Sequence, residues 1–337
     1  MASTFGNKIK VSIFGQSHSK AIGMSLENIP AGMVLDEEKL NAFLARRAPG
    51  RDENTSKRVE SDRPEFLSGF MTDENGRLVT CGAPISAVIY NEDARSADYD
   101  ELKDIPRPGH ADFAAHIKYG GFEDYRSGGH FSGRLTAPLS VAGGIAIQVL
   151  EQLGIKIEAE IDEIGGVKYE SKEQMDSLIE AARSEGDSIG GVVKCTIKGV
   201  HAGVGEPIFD GVENRISQAI FGIPAVKGIE FGAGFKAASM KGSENNDPFV
   251  IDENGNVVTE SNNAGGILGG IAIGSDIVFR VAFKPTPSIA KEQKSISYSE
   301  GKETTIIAKG RHDPCVVIRA LPVVEATSAL AILDLVL

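Results

Sequence analysis

Apolar and polar positions change period repeatedly along the chain, and each change predicts an element. Residues 10–14 and 21–26 are short apolar or β-branched runs separated by GQSHSK, which predicts two strands joined by a loop carrying Ser17 and His18. A helical period follows. Leu40, Phe43, Leu44 and Arg47 fall at i, i+3, i+4 and i+7 behind Asp36 as N-cap, with Glu37 and Glu38 in the first turn and Ala48-Pro49-Gly50 as the stop. Residues 64–71 and 77–81 predict a hairpin across DENG (73–76), and 85–90 a buried strand. The same tetrapeptide recurs at 252–255 between 249–251 and 257–258, so two similar α/β halves become an expectation.

Residues 110–119 predict a short helix with Asp112 and His116 on one face and His110 facing elsewhere. Residues 135–153 read as a buried helix packing Ala142, Ile145, Ala146 and Leu150, whose positive end points at the glycine-rich loop before it. In the second half, 156–161 and 192–197 predict strands. Ser171 and Gln174 make a capping box for a helix ending at Gly186, and 212–221 predicts a helix with Arg215 in solvent. The strand 276–283 follows a glycine-rich run, and 322–337 is an apolar helix whose only charges are Glu325 and Asp334, a core or interface element. No low-complexity linker divides the halves, which favours one body over two mobile domains.

Composition adds constraints. Charged residues make up 24% and hydrophobic ones 41%, ordinary for a soluble globular chain, whereas 39 glycines in 337 residues exceed average usage and imply many turns or ligand-facing loops. A net charge of −12 argues against nucleic-acid binding or attachment to an anionic membrane, so an anionic substrate would need a local basic pocket. Cys81, Cys195 and Cys315 fit neither a disulfide framework nor a zinc motif. The opening MASTFGNKIKVSIFG lacks a signal design, and no uncharged apolar run approaches bilayer length, so a cytoplasmic chain is expected.

Candidate chemistry concentrates in residues 107–134, where three arginines, three histidines and six glycines point to proton transfer beside an anionic ligand. His18 is either a structural hydrogen-bonder or an accessible imidazole, and its small polar neighbours Gln16, Ser17 and Ser19 favour access. Arg46, Arg47, Arg51, Lys57 and Arg58 either complement a helix dipole or bind an anion. The pattern H-x-D-x-x-x-H puts only two groups on one helix face, so no metal is expected. Lys284, Thr286 and Ser288 at a strand end favour phosphate. A salt bridge would account for two of Arg311, His312, Asp313 and Arg319, but not all four.

In order, RPGHAD (107–112), KYGGFEDYRSGG (118–129), VGEPIFD (204–210), IPAVKGIEFGAGF (223–235), NNAGGILGGI (262–271) and GRHDPCVVIRA (310–320) resemble the chorismate synthase family over nearly the whole chain. The resemblance implies an α/β fold: a β-α-β sandwich with internal pseudo-twofold symmetry and a helical core. It implies one domain over 1–337, made of two intimately packed halves, and a homotetramer. The implied reaction is a lyase step of the shikimate pathway, towards aromatic amino acids. Phosphate and a ring proton leave 5-enolpyruvylshikimate 3-phosphate in a 1,4 relation to give chorismate, with reduced FMN required but no net redox change.

The resemblance also implies roles. His18 would protonate the departing phosphate, His110 would serve the flavin near its N1 and carbonyl edge, and Asp313 would assist proton movement at flavin N5, with Ser17 and Ser132 in the catalytic set. Flavin contacts would fall to His130, Phe131, Ser132, Pro224, Ala225, Gly269, Lys284, Pro285, Thr286, Pro287, Ser288 and Arg311. The substrate would meet Arg46, Arg47, Arg107 and Arg134, with Arg51 and Arg58 beside them. Reduced FMN would come from a separate flavin reductase or from an NADPH-dependent activity of the protein itself. Arg47 matches a position associated with NADPH in some members, while its usual partner is Glu53 here.

The chain also departs from the family pattern. The usual G-E-S-H-G is Gly15-Gln16-Ser17-His18-Ser19, the third arginine of R-R-R-P-G is Ala48, and G-G-R-S-S-A-R-E-T becomes GGHFSGRLT (128–136), where His130 replaces an arginine. The altered loop leaves a second reading, a catalytically weakened binder of FMN or a phosphorylated metabolite. The glycine-rich runs with Lys284 leave a third, a flavin oxidoreductase with net hydride transfer. Retention of His18, His110, Ser132 and Asp313 counts against the binder. The lack of a strand-linked G-x-G-x-x-G counts against a dinucleotide oxidoreductase.

Overall fold

Strict alternation of apolar and polar positions builds two antiparallel five-stranded sheets. The computed structural model of the chain describes residues 3–48, 50, 62–91, 101–308 and 313–337. The first sheet holds β1 (Thr4–Phe5), β2 (Lys10–Gly15), β3 (Ala21–Glu27), β4 (Glu65–Ser68) and β5 (Ile85–Tyr90) in the order β1-β2-β3-β5-β4. Val11, Ile22, Met24, Leu26, Ile85 and Ile89 point inward from it. The second holds β6 (Lys156–Ile164), β7 (Val167–Lys168), β8 (Gly191–Lys198), β9 (Val226–Phe231) and β10 (Ile277–Phe283) in the order β9-β10-β8-β6-β7. Its inner face presents Val193, Cys195, Ile197, Phe279 and Val281.

The two longest helices fill the space between. α1 (Glu37–Arg47), α2 (Asp112–Tyr119), α3 (Thr136–Gln152), α4 (Lys172–Ser184), α5 (Val212–Ile220), α6 (Gly242–Asn245) and α7 (Val317–Val336) follow in chain order. α3 packs on β3 and β5 of the first sheet and on α7, which in turn packs on β6 and β8 of the second. The result is a sheet, helix, sheet sandwich. The α3–α7 crossing is close enough that a Cβ on Gly143 would stand 2.3 Å from that of Ala326, so only glycine fits. Residues 133–152 are apolar enough to suit a membrane span by composition, but they lie buried in this layer.

Most predicted elements form as expected. Asp36 caps α1 by accepting from Lys39 N at 2.9 Å, and Ser171 caps α4 by accepting from Gln174 N at 3.2 Å. The return bond of the box goes elsewhere, since Gln174 Oε1 accepts from Glu170 N. The two DENG turns share one geometry: Asp73 and Asp252 each accept, through Oδ1, from the amides two and four residues on.

Three expectations are corrected. The strand of residues 64–71 breaks at Gly69, whose φ is 96° and whose Cβ would lie 2.5 Å from Ile85 Cα. β4 therefore joins the first sheet while Phe70–Thr72 pairs with Leu78–Thr80. The C-terminal helix starts at Val317, before Pro322 and not at it. Arg215 is buried, not solvated. Asp334 of α7 accepts from it and also from the amides of Asn7, Lys8 and Ile9 at 2.8, 2.7 and 3.0 Å, while the guanidinium stands 4.8 Å over the Phe5 ring.

Candidate active site

Side chains in the turn before α2 hold one another. Arg107 Nε donates to Asp112 Oδ2 at 2.8 Å, its Nη2 to Oδ1 at 2.9 Å, and its Nη1 to Ser288 Oγ at 3.0 Å. His110 Nδ1 donates to Asp112 Oδ1 at 2.5 Å. A carboxylate only accepts, so Nδ1 carries the hydrogen and Nε2 faces Arg107 Nη2 at 3.4 Å. Burial works to raise the Asp112 pKa, but hydrogen bonds from Arg107 and His110 outweigh it and hold the carboxyl well below its ordinary range. Asp112 therefore stays anionic and fixes the imidazole. His116 shares the α2 face but not the partners: it pairs with Glu123 Oε1 at 2.9 Å and stacks on Tyr298 at 4.0 Å.

The glycine loop closes over His110. A Cβ on Gly128, where φ is 83°, would stand 2.6 Å from His110 Cε1. One residue on, Gly129 O accepts from Ser17 N at 3.1 Å, and His130 Nδ1 donates to Gly15 O at 2.7 Å. The loop with Ser17 and His18 is thus seated on the two residues that follow the one covering His110. Asn91 Nδ2 donates to Ser19 O at 2.8 Å, while its Oδ1 accepts from Arg134 Nε at 3.3 Å. Ser17 Oγ is buried with no hydrogen-bond partner among the described residues. Buried hydroxyls are normally satisfied, so this one has capacity for a ligand. Ser132 Oγ accepts from Arg134 N at 3.3 Å, and Phe131 tilts against Tyr119, 40% exposed.

Behind this loop Arg47 and Arg134 share the buried carboxylate of Asp62. Burial works to raise the Asp62 pKa, but Arg47 and then Arg134 lower it further than burial raises it, with Arg319 adding to them. Arg47 Nε also donates to Thr136 Oγ1 at 3.0 Å. Arg319 joins the cluster to Asp313, donating to Arg47 O at 2.9 Å and to Asp313 Oδ2 at 2.6 Å. Arg46 forks onto Glu325 at 2.6 and 2.9 Å, and Glu325 Oε1 also accepts from Ala159 N. The sequence had given no sign of Asp62 or Asn91, whose contacts appear only when distant segments meet.

After β10, Lys284 Nζ donates to Gly109 O, and Lys284 N to Ala225 O at 3.0 Å, which places Pro224 and Ala225 beside it. Ala225 has a φ of 72°, a costly backbone for a residue with a Cβ. Thr286 Oγ1 donates to Asp313 O at 2.9 Å, and the Cβ of Pro287 lies against Gly109, so Pro285 to Ser288 run between the His110 turn and Asp313. Lys284 has no carboxylate partner among the described residues. Burial lowers its pKa and Lys227 lowers it further. Gly269 is placed differently, at the tip of the hairpin Ile267–Leu268/Ile271–Ala272, whose base packs on Ile277 at the far end of β10. Arg51, Arg58 and Arg311 lie outside the described residues.

A family model described as chorismate synthase matches residues 9–337. A chorismate synthase of Korarchaeum cryptofilum is 47% identical, covering 98% of this chain and 96% of its own length, and one of Chitinophaga pinensis is 46% identical over 99% and 96%. A crystal structure of chorismate synthase superposes with a TM-score of 0.74 at 27% identity, covering 98% of this chain and 92% of that one.

Proposed function

Because the chain belongs to the chorismate synthase family, we propose that it converts 5-enolpyruvylshikimate 3-phosphate to chorismate by 1,4-elimination of phosphate and a ring proton, with reduced FMN as cofactor. The observation that carries this reading is the meeting at residues 128–130. Gly128 lies on the His110 ring, while Gly129 and His130 hold the loop of Ser17 and His18, so the segments that carry two acid–base candidates far apart in sequence meet at one loop.

The residues present suit a flavin phosphate and an anionic substrate. Lys284 is a cation without a carboxylate partner among the described residues, repelled by Lys227, and an anion beside it would relieve both. Asp62 holds Arg47 and Arg134 together behind the loop, which gathers two guanidinium groups on that side. The unpartnered Ser17 Oγ offers a donor to a bound oxygen.

Reduced FMN, when bound, would supply electron density that eases loss of phosphate. His18 donates the proton to the leaving phosphate. His110, anchored through Nδ1–H to Asp112, exchanges protons at Nε2, and Asp313 moves a proton at flavin N5. Ser132, Phe131, the backbone of His130, Pro224, Ala225, and Lys284 to Ser288 would hold the flavin, together with Arg311, while Gly269 lies towards the other end of β10 from this group. Arg46, Arg107, Arg51 and Arg58 join Arg47 and Arg134 around the substrate. Arg47 is 3% exposed and committed to Asp62, which favours a separate flavin reductase over direct NADPH use. The chain acts as one unit of two packed halves over residues 1–337, in the cytoplasm, as a homotetramer. The exposed side chains of Ile208, Phe209 and Phe235 support assembly.

Anaerobic incubation with pre-reduced FMN and 5-enolpyruvylshikimate 3-phosphate tests the reading. Phosphate and chorismate in equal amounts are expected. Tight binding of both ligands without product would leave a binder and overturn the enzyme.

A further inference from the structure

The His130 ring is used up by protein groups. Nδ1 lies 2.7 Å from Gly15 O and Nε2 2.9 Å from Ser3 Oγ. Gly15 O is an acceptor only, so Nδ1 carries the hydrogen, and in the neutral ring Nε2 accepts from the Ser3 hydroxyl. The preceding residue makes a parallel tie, since Ser17 N donates to Gly129 O at 3.1 Å. Two consecutive residues of the glycine loop thus grip both ends of the turn that precedes His18. Gly15 itself cannot be replaced cheaply: its φ is 94°, and a Cβ there would lie 2.5 Å from Ala21 O. The loop gripped by residues 129 and 130 continues from Gly128, which rests on His110.

We infer that His130 is a positioning residue: its side chain locks the Ser17–His18 turn onto the glycine loop and so fixes His18 relative to His110, while only its backbone is left for the cofactor. The catalytic part of this inference rests on the proposed elimination, but the lock itself does not. Asparagine can set its Nδ2 where Nδ1 stands and keep the Gly15 bond. Glutamine, one methylene longer, sets its amide nearer the Nε2 position and does not.

Amide hydrogen exchange over residues 12–20 of the full chain, read alongside the affinity for pre-reduced FMN and steady-state rates, tests the lock. In His130→Ala the Ser17 amide is expected to exchange about tenfold faster, as loss of one hydrogen bond worth about 1.4 kcal/mol allows. FMN affinity should stay within about threefold, and kcat should fall about tenfold with KM little changed. His130→Asn restores protection and most of kcat, whereas His130→Gln behaves like the alanine variant. The Asn and Gln pair carries the comparison if the alanine variant does not fold. Unchanged exchange in the alanine or glutamine variant overturns the lock, and if FMN affinity then falls more than tenfold the ring is a cofactor ligand. Should the parent chain give no chorismate at all, exchange and FMN affinity still decide the point, and the failure belongs to the proposed reaction.

Discussion

Asp62 illustrates what single residues contribute here. It is the common anion of Arg47 and Arg134, and its pKa is lowered in the folded chain. In the unfolded chain it titrates as an ordinary carboxylate near 3.9. Between the folded and unfolded values the unfolded state binds more protons, so stability rises with pH in that window. The contribution is full above the unfolded value and is lost as pH falls through the folded one. Asp62→Asn is therefore expected to cost about 3–5 kcal/mol at pH 7, the scale of breaking a buried pair, and to flatten the acid limb of the stability curve. Urea titrations at neutral and acid pH check it, and a loss under about 1 kcal/mol at pH 7 would mean the pair is not held in the folded state. For chemistry, His18→Ala and His110→Ala should each slow turnover roughly 10²-fold or more. Near-normal turnover in either variant removes that histidine from the mechanism. At this scale the sequence was readable where chemistry is local. RPGHAD announced Arg107, His110 and Asp112 together, and they do bind one another. It was silent where partners are distant: Arg215 looked like a surface cation because Asp334 lies 119 positions away.

Elements were legible to the extent that their signals are periodic. Caps at Asp36 and Ser171, the DENG turns and the apolar run of α3 all sit where the pattern put them. The misses have physical causes. Gly69 breaks a continuous apolar strand because its backbone must pass Ile85 at close range, and closeness of that kind has no sequence period. Pro322 sits inside α7, its missing donor borne by a helix buried for most of its length. α7 is also the element that fastens the N-terminus, through Asp334 and three consecutive amides. Asp334→Ala should strip those amides and Arg215 of their acceptor and cost about 3–5 kcal/mol, lowering the melting temperature by several degrees. An unchanged melting temperature would show that the N-terminal segment is held by other means.

For the whole molecule, alternation and helical period supplied α/β content and no more. That two sheets enclose α3 and α7 was implied by family resemblance, because period determines which face of an element is apolar and not which partner it meets. The candidate site has the same character. Its groups come from positions 17–18, 107–112, 128–134, 284–288 and 313–319, and none of these segments is complete alone. The proposed function would unite them in an elimination that leaves the flavin unchanged at the end. The ratio of chorismate formed to flavin oxidised, measured anaerobically with pre-reduced FMN far below the substrate concentration, tests that most directly. Many chorismate molecules per flavin, with the flavin still reduced, is the predicted result. One flavin oxidised for each product molecule, or no product beyond the flavin added, would contradict it.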